Sequence, residues 1–237
     1  MLTRCLTPEE KQHKFLVFFS FHTPGQDVFL YMRFDAEEIY HIYNRGNQKQ
    51  RLFHSRDNYL YFLKKFQQYI APRCDLFSWC LMPNHFHFLV STTNASVQPV
   101  EKALIPIQYL VEGIRLLLSS YAKGVNKQLG LTGNLFQQKT KAKRVSQVSD
   151  TLKVSVTLNT PNYPLAAFHY IHQNPLRANL VHKMEDWEFS SFRDYAGLRN
   201  GKLCNKNLAM QLLDLDKTSF YKDSYAAIPE KWIKNIF

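Results

Sequence analysis

The stretch "DLFSWCLMPNHFHFLVST", residues 75 to 92, constrains the fold more than any other part of the chain. Its strand-forming residues lie on either side of Pro83-Asn84. Proline has no N–H to give a ladder and asparagine favours turns, so this pair cannot continue a central strand. The segment therefore reads as two strands or a bulged hairpin. Side chains two apart on a strand share a face, which puts His85 and His87 together while Phe86 and Phe88 enter a core from the other side. Spacing alone leaves two readings open: a pair of metal ligands, or partly buried histidines satisfied by hydrogen bonds.

The flanking sequence supplies further elements. Residues 38 to 44 read as a strand that stops at the turn-forming "NRGN". After Ser55, the apolar residues Tyr59, Leu63, Phe66 and Ile70 recur at three- and four-residue steps, and Pro72 lies just beyond, predicting a helix of about four turns. The stretch from Val100 to Leu129 is helical in pattern but contains Pro106, so its helix is expected mainly after that proline, with Gly130 as the stop. "GNLFQQKTKAKRV" reads as a basic strand with Lys139, Lys141 and Lys143 on one face, and "SQVSDTLKVSVTLNT" as part of an inserted strand or hairpin within residues 146–162. A third helix is expected from Pro164 until Pro175 interrupts it. On that helix Tyr170 and Asn174 are four apart and share a face, with Cβ atoms about 6 Å apart. Taken alone, the tyrosine also reads as core and the asparagine as a cap. This order of elements points to an α+β domain with helices packed on a small antiparallel sheet.

Charge narrows the partner. The 237 residues include 30 Lys+Arg against 19 Asp+Glu, a formal charge of +11 that favours polyanions; nucleic acid is a more economical reading than an anionic membrane. No run of about 18 apolar residues occurs, and "FLVFFSF" follows "PEEKQHK" without a small-residue cleavage site, so a soluble, unsecreted protein is expected. Cys5, Cys74, Cys80 and Cys204 form no C-x-x-C pair and no zinc-finger spacing, which suits reduced thiols in a cytoplasm.

Four segments also resemble a known family. "YHIYNRGNQKQRLF", "WCLMPNHFHFLV", "GNLFQQKTKAKRV" and "YIHQNPLRANLV", the last followed by "DWEFSSFRDYAG", are similar in order and spacing to the REP-associated tyrosine transposases. These belong with the small insertion-sequence transposases of single-stranded DNA in the HUH endonuclease superfamily. The resemblance spans about residues 38 to 198. It implies a ferredoxin-like (RRM-like) antiparallel sheet with the His-x-His strand at its centre. It further implies His85 and His87 as metal ligands, Asn174 as a third ligand through its amide oxygen, Tyr170 as the nucleophile, and Mg2+ or Mn2+ as the ion. The implied reaction cleaves single-stranded DNA beside a hairpin by transesterification, leaving a 5′-phosphotyrosine and a free 3′-hydroxyl that later reverses the step. The partner is then single-stranded or hairpin DNA, with no membrane, the protein a monomer or homodimer, and the place of action the nucleoid of a bacterial cytoplasm. Residues 36–198 form the transposase domain, 1–35 a poorly patterned extension with Met32 as an alternative start, and 199–237 a helical or loosely packed tail.

The chemistry is consistent with these roles. A free tyrosine with a pKa of about 10 is roughly one part in a thousand ionised at pH 7, so forming phenolate costs about 4 kcal/mol without assistance. Two neutral imidazoles and an amide leave a divalent ion's charge uncompensated, which suits a phosphodiester. Arg45, Lys49 and Arg51 form one basic cluster for phosphate or hairpin contact, and Lys139, Lys141 and Lys143 form another, which reads equally as a solvated basic edge that discourages strand pairing. Two other readings compete. The same fold serves as a hairpin DNA or RNA binder without cleavage. A nucleotidyl hydrolase with a His-x-His-x-His strand fails at Leu89, where its third histidine belongs.

Overall fold

The computed structural model describes residues 32–101, 106–146 and 162–236. Four antiparallel strands build one sheet: β1 (Ile39–Arg45), β2 (Asp75–Met82), β3 (His85–Ser91) and β4 (Lys141–Arg144), in the order β2-β3-β1-β4. Helix α1 (Arg56–Tyr69) connects β1 to β2, and α2 (Tyr109–Leu129) lies between β3 and β4. Pro83-Asn84 turns β2 into β3, as its chemistry requires. The turn's carbonyls are used: Pro83 accepts from the backbone N–H of Leu52 and Asn84 from that of Gly46, both at 2.8 Å. A Cβ at Gly46 would lie 2.1 Å from the Gln50 carbonyl oxygen, so only glycine fits this close return.

The sheet has two covered faces. Tyr40, Ile42, Leu76, Trp79, Leu81, Phe86, Phe88 and Val90 project to one side, where they form a core with Phe62 and Phe66 of α1 and with Leu110, Leu117 and Tyr121 of α2. Their fit is period-two alternation, interrupted once by a register shift between Leu76 and Ser78. Ile39, Phe77, Cys80, Met82 and Leu89 project to the other side, against Ala166, Ala167, Phe168 and Ile171 of α3 (Tyr163–Arg177). Three later helices, α4 (Lys206–Leu213), α5 (Phe220–Ser224) and α6 (Glu230–Ile236), add Ala209, Leu213, Phe220 and Ile236 to this second core.

Helix ends follow the local chemistry. The side-chain oxygen of Asn58, in the first turn of α1, accepts the backbone N–H groups of His54 and Ser55 at 3.0 and 3.2 Å. α2 stops at Gly130, whose φ of 64° is left-handed. Pro175 does not end α3: the helix continues to Arg177. The proline sits in the last turn, where its missing N–H removes one bond, and Ala178 and Leu180 close the end by donating to Asn174 (3.0 Å) and Pro175 (2.9 Å).

The basic strand is shorter than its sequence suggests, because only Lys141–Arg144 pair with β1. The preceding residues form a loop tied to the end of β1 by Asn47 N–H to Leu135 and Gln137 N–H to Arg45, at 2.9 and 2.8 Å. Trp187 and Tyr195 anchor the following segment to β2, the indole donating to Leu81 at 3.1 Å and the phenol to Phe77 at 2.6 Å. Of the expected insertion at 146–162, all but Ser146 and Asn162 lies outside the described residues, as do Cys5 and most of the N-terminal extension. Cys74, Cys80 and Cys204 are buried free thiols. Among the described residues, no helix is long and apolar enough to cross a membrane.

Candidate active site

The edge of the second face carries polar rather than apolar side chains. Register places Arg45 opposite His85 and Tyr43 opposite His87, with Lys141 opposite Tyr43 on its other side. α3 lies across β2 and β3 and brings Tyr170 and Asn174 to the same place. Together they line a cavity of about 350 Å3 with His85, His87, Arg45, Lys139 and Lys141. Two residue pairs separated by more than eighty positions thus meet at one pocket. Tyr43, Asn44 and Gln137 complete the lining. All three fall within the segments that carry the family resemblance, but no spacing singled them out as site residues; Tyr43 is two residues from His41 on the face that β1 shares with His87.

Hydrogen bonds fix the orientation of the polar groups. The side chain of Asn174 donates to the Tyr170 carbonyl at 2.9 Å, so its amide nitrogen is engaged and its oxygen is the atom that remains to accept. His85 Nδ1 lies 2.6 Å from the Asn84 side-chain oxygen; an oxygen only accepts, so Nδ1 carries the proton and Nε2 the lone pair. His87 Nδ1 lies 2.9 Å from His41 Nε2. The rings of His85 and His87 have centroids 5.0 Å apart, and that of Tyr170 is 6.4 Å from His87. Buried Asn44 donates to Thr140 and Gln137 at 2.8 and 3.2 Å, which ties the loop carrying Lys139 to β1.

The electrostatics favour an anion. Among the described residues the lining contains no aspartate or glutamate, and it contains Arg45, Lys139 and Lys141. Burial, helped by the nearby Arg45 guanidinium, pushes His85 down to about 4. Burial also holds His87 well below its ordinary value, with further depression from His41, His85 and Arg45. Both imidazoles are therefore neutral at pH 7 and have lone pairs to offer. Burial raises the Tyr170 phenol above its ordinary value; Arg177 opposes that rise and Glu230 reinforces it. The Arg177 guanidinium stands 5.5 Å over the Tyr170 ring and pairs with Glu230 at 3.3 Å.

Not every sequence-derived basic residue reaches the pocket. Lys49 and Arg51 are exposed on the loop after β1, and Lys143 is exposed opposite His41; none of the three lines the cavity. His172 faces away from the site and is fully buried, 2.7 Å from Ser191 Oγ. Ser191 also takes the backbone N–H of Trp79, so this buried pair has a packing role and no access to a substrate.

Among the described residues, no three His, Cys, Asp or Glu side chains gather as a metal site. A divalent ion held here would have to draw a third protein ligand from outside that set. The donor chemistry fits such an ion: two neutral imidazoles with anchored Nδ1 atoms, and an amide whose nitrogen is already bound.

No protein-family model matches the chain, and no curated protein does. One solved structure, a REP-associated tyrosine transposase bound to a REP hairpin, matches with 18% identity and a TM-score of 0.46, covering 74% of this chain and 93% of that one.

Proposed function

We propose that the chain is a single-stranded DNA endonuclease and strand transferase that uses Tyr170 as its nucleophile and works beside hairpins. The observation that carries this reading is the convergence of Tyr170 and Asn174 from α3 with His85 and His87 from β3 at one basic pocket. The β-α-β-β-α-β succession with strand order β2-β3-β1-β4 supports a ferredoxin-like description of the fold. The motif resemblance supplies the reaction class. On this reading the partner is single-stranded or hairpin DNA in the bacterial nucleoid.

Each residue then has a task. Arg45, Lys139 and Lys141 hold the backbone phosphates at the cavity mouth. The Tyr170 oxygen attacks the scissile phosphorus as the phenol proton passes to solvent. The bond from phosphorus to the 3′-oxygen breaks, the 3′-oxygen takes up a proton, and the 5′-phosphate stays esterified to the tyrosine. One phosphodiester replaces another, so attack by a 3′-hydroxyl restores the DNA without nucleotide hydrolysis. His85, His87 and Asn174 would hold magnesium or manganese, which when bound would supply polarisation of the phosphate and stabilisation of charge on the leaving oxygen. The Arg177 cation over the ring favours the phenolate that burial disfavours.

The test is cleavage of hairpin-flanked oligonucleotides by His85→Ala. Metal-dependent cleavage is expected to vanish while hairpin affinity changes by less than about threefold. A large loss of affinity instead recasts His85 as a DNA contact. A second reading, hairpin binding without cleavage, is favoured by the raised pKa of Tyr170, and it predicts affinity with no cut product under any metal.

A further inference from the structure

His41 is fully buried in β1, a strand paired on both sides. Its Nδ1 lies 2.9 Å from the backbone carbonyl oxygen of Ile236 in α6, and its Nε2 lies 2.9 Å from Nδ1 of His87. A carbonyl only accepts, so the proton of that first contact sits on His41 Nδ1. A fully buried ring held between a carbonyl and a second imidazole has no anion in those contacts to balance a cation, so it is the neutral form that packs here and His41 Nε2 carries the lone pair. The facing nitrogen of His87 must then be the donor. A neutral imidazole carries one N–H, so His87 holds its lone pair at Nε2. The ring planes are within 23° of parallel, and centroids 5.0 Å apart with the nitrogens 2.9 Å apart place the rings edge towards edge, as an N–H···N bond requires.

We propose that His41 is a positioning residue: together with the Ile236 carbonyl it locks His87 in the Nδ1–H tautomer and fixes its ring, presenting Nε2 as the donor atom of the pocket. The inference rests on the reading of His87 as a metal ligand. His41 does for His87 what Asn84 does for His85, whose Nδ1 is 2.6 Å from an amide oxygen. Partners of this kind fix tautomer and ring orientation and raise ligand basicity. The support for His87 thus spans the molecule, from β1 through a buried imidazole to the main chain of α6, contributed 195 residues further on. The tie also explains a histidine in a strand interior where an apolar residue would otherwise pack.

Two measurements on the full chain separate the tautomer from the metal. The first is nitrogen NMR of labelled histidines in metal-free protein, with His87 expected protonated at Nδ1 and unprotonated at Nε2. The second is Mn(II) uptake, counted as free ion by electron paramagnetic resonance. In His41→Leu the His87 tautomer is expected to become mixed and Mn(II) affinity to fall about 10- to 100-fold. In His41→Gln both are expected to recover, because the amide nitrogen can donate to the Ile236 carbonyl while its oxygen accepts from His87. A wild-type His87 protonated at Nε2 overturns the proposal without recourse to any variant. Wild-type uptake of Mn(II) with unchanged affinity in folded His41→Leu overturns the role of His41 alone. Failure of wild type to take up Mn(II), with the tautomer as stated, overturns the metal site and its support together.

Discussion

The Asn174 side chain donates to the main-chain carbonyl of Tyr170, 2.9 Å away and one turn earlier on α3. That bond engages the amide nitrogen and leaves the oxygen as the acceptor, on a helix that already presents the Tyr170 phenol to the same cavity. Asn174→Ala removes the oxygen but keeps the helix. Cleavage is expected to fall at least about tenfold, with thermal stability changed by less than about 1 kcal/mol. Loss of stability without loss of rate in the folded fraction would make Asn174 a structural residue.

Arg177 and Glu230 act on Tyr170 in opposite directions: the guanidinium lowers the phenol pKa and the carboxylate raises it. If phenol ionisation limits cleavage, Arg177→Gln is expected to move the rise of the pH–rate profile to higher pH and slow the reaction a few-fold at pH 7. Glu230→Gln is expected to move it the other way. Both groups are substantially exposed, so the effects should shrink as salt increases. Shifts of the same sign in both variants contradict the assignment.

Counterion release distinguishes residues in the pocket from those outside it. Lys139→Ala and Lys141→Ala should each weaken single-strand binding about equally across sequences and flatten the plot of log affinity against log salt by about 0.7. Lys143→Ala, a residue outside the cavity, should change the slope less. Titration of one labelled oligonucleotide at several salt concentrations is sufficient to check this.

His169 gives the fold a pH limit away from the site. It is buried, 3.2 Å from Ser224 Oγ, and burial pushes it down from 6.5 to about 4, with Asp223 pulling it partly back. The folded value is depressed, so the unfolded chain binds more protons between pH 4 and 6.5. Stability is therefore full above about pH 6.5 and lost as the pH falls towards 4, by about 3 kcal/mol for this one histidine. Urea unfolding at stepped pH should show the decline, and His169→Gln should lessen its slope by this histidine's share, the buried His41, His85, His87 and His172 contributing the remainder. An equally steep decline in the variant would assign the effect elsewhere.

The local elements were largely legible because local chemistry decides them. Pro83-Asn84 separates two strands, Phe86 and Phe88 enter the core, and Gly130 stops α2. The spacings His-x-His and Tyr-x-x-x-Asn each put two side chains on one face, but only tertiary packing brings the two faces together. Pro175 misled because a proline in the last turn costs one hydrogen bond and not a helix. The basic segment misled because alternation describes only Lys141–Arg144, whereas hydrogen bonds from the β1 end hold the rest as a loop. His41 was invisible as part of the site, since its partners lie 46 and 195 residues away and no motif links them.

The central claim is that Tyr170 becomes joined to DNA. Wild type and Tyr170→Phe are incubated with hairpin-flanked single-stranded oligonucleotides, labelled on the 3′ side of the cut, in Mg2+ or Mn2+, and run on a denaturing gel. Wild type is expected to give a labelled protein band that survives denaturant, and Tyr170→Phe to give none. Absence of the band from wild type across varied hairpins, or its persistence in Tyr170→Phe, would contradict the account.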